Sequence, residues 1–153
     1  MMYLYNQTFY RKLLLLTLLI VFNSTYVKAE TAVGVWETGG GLSHVEIFSC
    51  GEELCGRIVW LLEPNEENGT PKLDNNNEIE DLQKRPLMGL ELISGFIADD
   101  KPGRWVNGTI YNPEDGKTYQ CTMKLKDDNT LEVRGYVLLP ILGKTQTWFR
   151  LIE

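Results

Sequence analysis

Histidine is almost absent from this chain, since His44 is the only one. A single imidazole cannot form a histidine-rich metal site. A Ser-His-Asp hydrolase would need His44 as its base, and the sequence offers no G-x-S-x-G elbow to present a nucleophilic serine. We therefore interpret His44 as a partly exposed strand residue. With no catalytic motif in the chain, we expect no catalytic residues and rank an enzymatic function last.

The chain also lacks an apolar run long enough to span a membrane. Its longest run, residues 13–22, has 10 residues, against the roughly 20 that a membrane-spanning helix needs. The pair Arg11-Lys12 precedes the run, and Val27-Lys28-Ala29 follows it with modest or small residues at the −3 and −1 positions. This order is typical of a signal peptide. We expect cleavage after Ala29, which would leave residues 30–153 as one exported domain.

Positive charge is in deficit. The full chain has 15 Lys and Arg against 21 Asp and Glu, a net charge of −6, and loss of the signal peptide would leave 12 of those 15 basic residues and a net charge of −9. So acidic a protein is a poor candidate for binding nucleic acid or an anionic membrane surface. We expect no nucleic-acid partner and no stable membrane insertion after cleavage.

Glycine and proline punctuate the chain after residue 30 at short intervals, and the stretches between them alternate apolar and polar residues. This pattern predicts a single all-β domain, either a barrel or a sandwich. Around 63–86 we expect either one short helix, at about 77–84, or an irregular insertion. The eight expected strands lie at about 33–37, 44–50, 54–61, 90–98, 104–112, 117–125, 130–138 and 144–152.

Cysteine is scarce, with three residues that divide unequally. Cys50 and Cys55 bracket a tight hairpin turn. If they oppose each other, Val45 opposes Trp60 and both face the interior. In an exported protein, a Cys50–Cys55 disulfide is the expected state of such a pair.

Cys121 lies in the middle of a predicted three-stranded meander. Turn arithmetic places Gly108 and Gly135 on either side of it, on the dry face. Two missing side chains would leave a small pocket that binds a ligand, with Tyr119 and Trp60 as aromatic walls. The alternative is that Cys121 is simply a small buried apolar residue and that larger side chains fill the gap.

The stretch 74–81 is rich in Asp, Asn and Glu and has the look of a calcium-binding loop. It departs from that motif at the sixth position, where Ile79 replaces glycine, and at the twelfth, where Arg85 replaces glutamate. We therefore expect no metal site and no cofactor.

The first predicted strand carries Gly34-x-Trp36, and the last carries Trp148-Phe149-Arg150. Together these motifs resemble the lipocalin-like (calycin) pattern. The resemblance implies that the all-β domain is a single small antiparallel β-barrel of about eight strands, lipocalin-like. It also implies that Trp36 packs at the closed end of that barrel with Arg150 lying across it.

Further motifs lie at Leu54–Trp60, Arg85–Leu90, Trp105–Tyr119, Arg134–Tyr136 and Gly143–Arg150. They resemble the bacterial exported family called domain of unknown function 2147. Glu78 stands where family members often have proline. The resemblance implies export to the periplasm of a Gram-negative-type cell and supplies no activity.

Two functions remain in competition. The first is non-catalytic binding of a small hydrophobic or amphipathic ligand inside the barrel. The second is an envelope protein–protein interaction module that uses exposed aromatic residues, for which the predicted registers offer Trp105, Tyr111 and Phe48 on the outer face. The sequence does not indicate an oligomeric state.

Overall fold

The computed structural model describes residues 31–151, so the expected signal peptide lies outside the described residues. The strands pair in chain order, all antiparallel, and the last closes on the first to complete a barrel. The expected all-β, eight-stranded lipocalin-like barrel is confirmed. No helix in the described part of the chain is long and apolar enough to cross a membrane. The strands are β1 (Gly34–Glu37), β2 (Ser43–Cys50), β3 (Glu53–Leu61), β4 (Glu91–Ala98), β5 (Arg104–Asn112), β6 (Lys117–Asp127), β7 (Thr130–Tyr136) and β8 (Lys144–Arg150).

The β6–β7 hairpin follows directly from its alternating sequence. Met123 and Leu125 of β6 face Val133 and Leu131 of β7, and all four are buried. Cys121 lies opposite Gly135, as the turn arithmetic predicts. Lys124 and Lys126, on the other face of β6, are exposed, because successive side chains of a strand point to opposite faces.

One end of the barrel is sealed by Trp36, which is fully buried and donates a 2.8 Å hydrogen bond from its indole nitrogen to the carbonyl of Ala32. The guanidinium carbon of Arg150 lies 4.2 Å from the centre of the Trp36 ring. A Cβ on Gly34 would overlap the Arg150 side chain, which explains why glycine precedes this tryptophan by two residues. The expected placement of Trp36 and Arg150 is therefore what the structure has.

The expected register of β5 holds only in its second half. Gly108 opposes Cys121 as predicted, but the register shifts between Trp105 and Gly108, where Asn107 has a positive φ of 63°. One extra residue reverses which side chains face inward. Trp105, rather than Val106, therefore opposes Met123, and Trp105 is only 8% exposed. The prediction of an outward-facing Trp105 is wrong.

The Cys50–Cys55 disulfide is present, with Cα atoms 5.8 Å apart. The two cysteines are not directly opposed, however, because Cys55 pairs with Phe48 and Cys50 pairs with Glu53. The bond therefore joins the strands diagonally beside the turn.

Trp60 is placed differently from the prediction. The β2–β3 register shifts between His44 and Val45, so that Trp60 opposes His44 and Val45 opposes Ile58. The rings of Trp60 and His44 stack with centroids 4.2 Å apart, and Trp60 is 38% exposed. The prediction that Trp60 faces the interior is wrong, because an irregularity of one residue moved it to the outer wall.

The segment between β3 and β4 contains a 3₁₀ turn, Glu80–Lys84, in place of the expected short helix at 77–84. The segment is tied to the β5–β6 turn by Asn76, whose side-chain amide donates to the carbonyls of Pro113 and Glu114 at 3.1 Å each. It therefore borders the end of the barrel opposite Trp36.

Candidate functional site

The barrel interior is packed near Trp36 and hollow at the opposite end. The hollow part is a cavity of about 520 Å³. It opens between the loops that join β1 to β2, β3 to β4, β5 to β6 and β7 to β8. Its inner wall is mainly apolar and is formed by Val45, Ile58, Leu92, Ile110, Tyr119, Val133, Gly135, Gln146 and Trp148.

The two glycines beside Cys121 have opposite surroundings. At Gly108, a Cβ would overlap the ring of Phe96, a fully buried β4 residue that fills the space. At Gly135, a Cβ would meet only Ile110 and Tyr119, at an ordinary 3.7 Å. The predicted pocket at Gly108 is therefore wrong, and the empty space lies on the Gly135 side.

Gly108→Ala is expected to destabilise the protein by about 3 kcal/mol, because the added methyl group must displace the Phe96 ring from a packed core. Chemical denaturation measures the loss. The double variant Gly108→Ala/Phe96→Leu should recover part of it, because the smaller side chain makes room. An unchanged midpoint in Gly108→Ala would show that this space is not filled.

Cys121 belongs to the packed core and is fully buried. Burial raises the pKa of its thiol to about 12. Because the thiolate is the reactive form of cysteine, Cys121 is a poor nucleophile at neutral pH. The prediction that Cys121 lies on the wall of a pocket is therefore wrong, because the residue lies in the packed core.

Tyr119 lies on the cavity wall, as the sequence predicts. Its hydroxyl donates a 2.6 Å hydrogen bond to a carboxylate oxygen of Asp115, another lining residue. This bond raises the pKa of Tyr119 and lowers that of Asp115, because it stabilises the ionised carboxylate next to the protonated phenol. Together the two residues put a polar pair near the mouth.

Three aromatic or polar residues of the wall were missed in the sequence. Trp148 is nearly fully buried, and its indole nitrogen donates to the side-chain carbonyl of Gln146 at 2.9 Å. Tyr136, at the end of β7, also lines the cavity. The inward alternation of β8, with Gln146 and Trp148 two residues apart, was the signal that could have found the first two.

Tyr111 belongs to the rim of the cavity and is held there by a buried carboxylate. Its hydroxyl donates a 2.6 Å hydrogen bond to Asp74, which is fully buried and also accepts from Asn77 at 2.8 Å and from Arg85 at 2.8 and 2.9 Å. Burial, together with the hydrogen bond to Asp74, raises the pKa of Tyr111. Tyr111 keeps the outward register that the sequence predicts, opposite Thr118, but it is not an exposed aromatic residue, because the 62–90 segment covers it.

Phe48 is half-buried on the outer wall, with the guanidinium carbon of Arg57 lying 5.3 Å from its ring centre. Between residues 31 and 151, the His, Cys, Asp and Glu side chains form no group of three that could hold a metal ion. The Asp74 carboxylate, part of the calcium-like stretch, is instead engaged by Arg85.

A closed antiparallel barrel of eight strands, sealed by a tryptophan under an arginine and hollow at the other end, is a lipocalin-like barrel. The chain belongs to the family described as "Uncharacterized protein conserved in bacteria (DUF2147)", whose model matches residues 34–150. It is similar to the solved structure of protein HP1028 from Helicobacter pylori, which is described as belonging to the lipocalin family. That similarity has a TM-score of 0.71 and 26% identity, and covers 80% of this chain and 84% of the other. No curated protein matches this chain.

Proposed function

We propose that this protein is a non-catalytic binding protein of the periplasm that holds one small hydrophobic or amphipathic molecule in its barrel. The observation that carries the proposal is the cavity of about 520 Å³ with a mainly apolar wall. Ligand sites typically enclose about 300–1,000 Å³. Barrels of eight strands have room for one small ligand when side chains do not fill them.

The distribution of polar groups supports an amphipathic ligand. Apolar residues such as Val45, Ile58 and Val133 form the inner wall. The polar residues Glu114 and Asp115, in the β5–β6 turn, and Lys144, at the start of β8, lie at the mouth. An apolar tail would therefore lie in the barrel, and a polar head would remain near water.

Export to the periplasm is part of the proposal. It rests on the charged, apolar and small-residue order of the first 29 residues. The Cys50–Cys55 disulfide supports it, since such bonds persist in oxidising compartments.

The alternative is an envelope interaction module. Two of the three aromatic residues that supported it are not exposed, because Trp105 lies in the core and Tyr111 is covered by the 62–90 segment. Trp60 and Phe149 are the exposed aromatic residues that favour it, at 38% and 53% exposure. They supply a surface control for the binding test.

The test is fluorescence titration with N-phenylnaphthylamine, a neutral dye that brightens in apolar surroundings, and displacement of the dye by dodecanoate. Gly135→Phe is expected to weaken dye binding by at least about tenfold, because the ring would occupy the cavity. Gly135→Ala is the matched control and should bind normally, since its Cβ meets neighbours only at 3.7 Å.

Trp60→Ser should bind the dye as the parent protein does, because Trp60 lies on the outer wall. Absence of binding in the parent protein would contradict the proposal. So would a loss in Trp60→Ser combined with normal binding in Gly135→Phe, which would place the site on the surface.

A further inference from the structure

The loop between β7 and β8 carries the largest exposed apolar cluster of the described chain. Its side chains are between 58% and 82% exposed, and no charged residue occurs from Gly135 to Gly143. We call residues 137–142 the apolar tip. Its exposed members are Val137, Leu138, Leu139, Ile141 and Leu142.

The apolar tip is held in its exposed position by Arg134. The guanidinium donates to the carbonyl of Pro140 at 2.6 Å and to that of Ile141 at 3.2 Å, and also to the hydroxyl of Thr145 at 2.6 Å. A short 3₁₀ turn, Pro140–Leu142, adds a backbone bond from Gly143 to Pro140. These bonds fix the backbone of the tip from the barrel side and leave its side chains toward water.

The tip is continuous with the cavity. Val137 and Leu142 belong to the exposed tip and also line the cavity. Leu42, in the β1–β2 loop, lines the cavity as well and is 55% exposed. The exposed apolar side chains of the tip therefore adjoin the cavity on this side of its mouth.

We propose that the apolar tip docks on the surface of a lipid bilayer, so that the ligand passes between the bilayer and the cavity. This inference rests on the proposed function. A ligand that suits an apolar barrel partitions into lipid, and the tip would bring the mouth of the cavity to that source. Protein surfaces of this apolar character, uncovered and contiguous, mark sites of interaction with proteins or membranes.

The charges at and beside the tip suit the surface of a bilayer. The full chain has a net charge of −6, and the net charge becomes more negative if the signal peptide is removed, so general electrostatic attraction to an anionic membrane is unfavourable. The tip itself is uncharged and is followed directly by the exposed Lys144, whose apolar stem and ammonium group suit the boundary between lipid tails and headgroups. Contact should therefore be hydrophobic, reversible and independent of anionic lipid.

The test is flotation of the protein with phosphatidylcholine vesicles. The parent protein should float with them, and Leu138→Asp/Ile141→Asp should bind at least about tenfold more weakly, because two charges enter the contact. The control Ile97→Asp/Phe149→Asp makes the same change at exposed residues of the barrel wall and should float normally. Adding phosphatidylglycerol should not strengthen binding.

Dye binding without vesicles and sedimentation velocity distinguish failure of the proposed function from failure of the docking proposal. Without vesicles, Leu138→Asp/Ile141→Asp should bind N-phenylnaphthylamine as the parent protein does, because neither residue lines the cavity. Vesicle binding without dye binding would overturn the proposed function and leave the docking surface supported. Failure of the parent protein to float, equal loss in the control, or a dimer in sedimentation velocity that the tip variant dissociates would overturn the docking proposal.

Discussion

Trp36→Ala is expected to lower the free energy of unfolding by about 3–5 kcal/mol, as for truncation of a large buried aromatic residue. Trp36 is fully buried, bonds to the Ala32 carbonyl and lies under the Arg150 guanidinium. Its removal would leave a cavity at the base of the barrel, where β1 is only four residues long. Equilibrium denaturation by urea measures the effect.

Arg150 gives a graded companion to that experiment. Its guanidinium donates to the carbonyls of Asp128, Val33 and Thr31 at 2.6, 2.8 and 2.8 Å, so that it ties the chain before β1 to the β6–β7 turn. Arg150→Ala should lower the free energy of unfolding less than Trp36→Ala does, but more than removal of an exposed charge would. Arg150→Lys should have a smaller effect than Arg150→Ala. Unchanged stability in both Trp36→Ala and Arg150→Ala would contradict the closure of the barrel by this pair.

Asp74→Ala is expected to cost about 3 kcal/mol, because it leaves buried hydrogen-bond donors without an acceptor. The fully buried Asp74 carboxylate accepts from Tyr111, Asn77 and Arg85. Asp74→Asn should be destabilising as well, since an amide keeps the shape but loses the charge and one acceptor. Thermal unfolding by circular dichroism measures both.

Glu63→Ala is the matched control for Asp74→Ala. It also removes a carboxylate from the 62–90 segment, but the ion pair of Glu63 with Lys72 is exposed to water. It should leave the melting temperature unchanged. Equal effects of Asp74→Ala and Glu63→Ala would show that the buried network does not hold the 62–90 segment on the barrel.

The sequence predicted the strands well because most of them alternate strictly between apolar and polar residues. The predicted β6–β7 register was correct at all inward-facing positions, because the short turn between the two strands fixes which residues pair. The errors at Trp105 and Trp60 have one cause, an extra residue in a strand, which reverses every side chain beyond it. At β5 the Asn107-Gly108 step was the available signal, because asparagine tolerates positive φ better than most residues.

The candidate site was predicted in part. Tyr119 and Gly135 lie on the cavity wall because both belong to the β5–β7 meander, whose turns fix local pairing. Phe96 could not be anticipated at Gly108, because it comes from β4 and its contact depends on the closure of the barrel. The bond of Asp74 to Tyr111 joins residues 37 positions apart through an irregular segment, which periodicity does not describe.

The most direct test of the binding proposal uses the four tryptophans as separate reporters. Trp148 lines the cavity, Trp60 lies on the outer wall, and Trp36 seals the base. In protein labelled with fluorotryptophan, titration with dodecanoate should shift the fluorine resonance of Trp148, assigned with Trp148→Phe, and leave those of Trp60 and Trp36 in place. A Trp148 resonance that does not move, or a shift confined to Trp60, would contradict a ligand in the barrel.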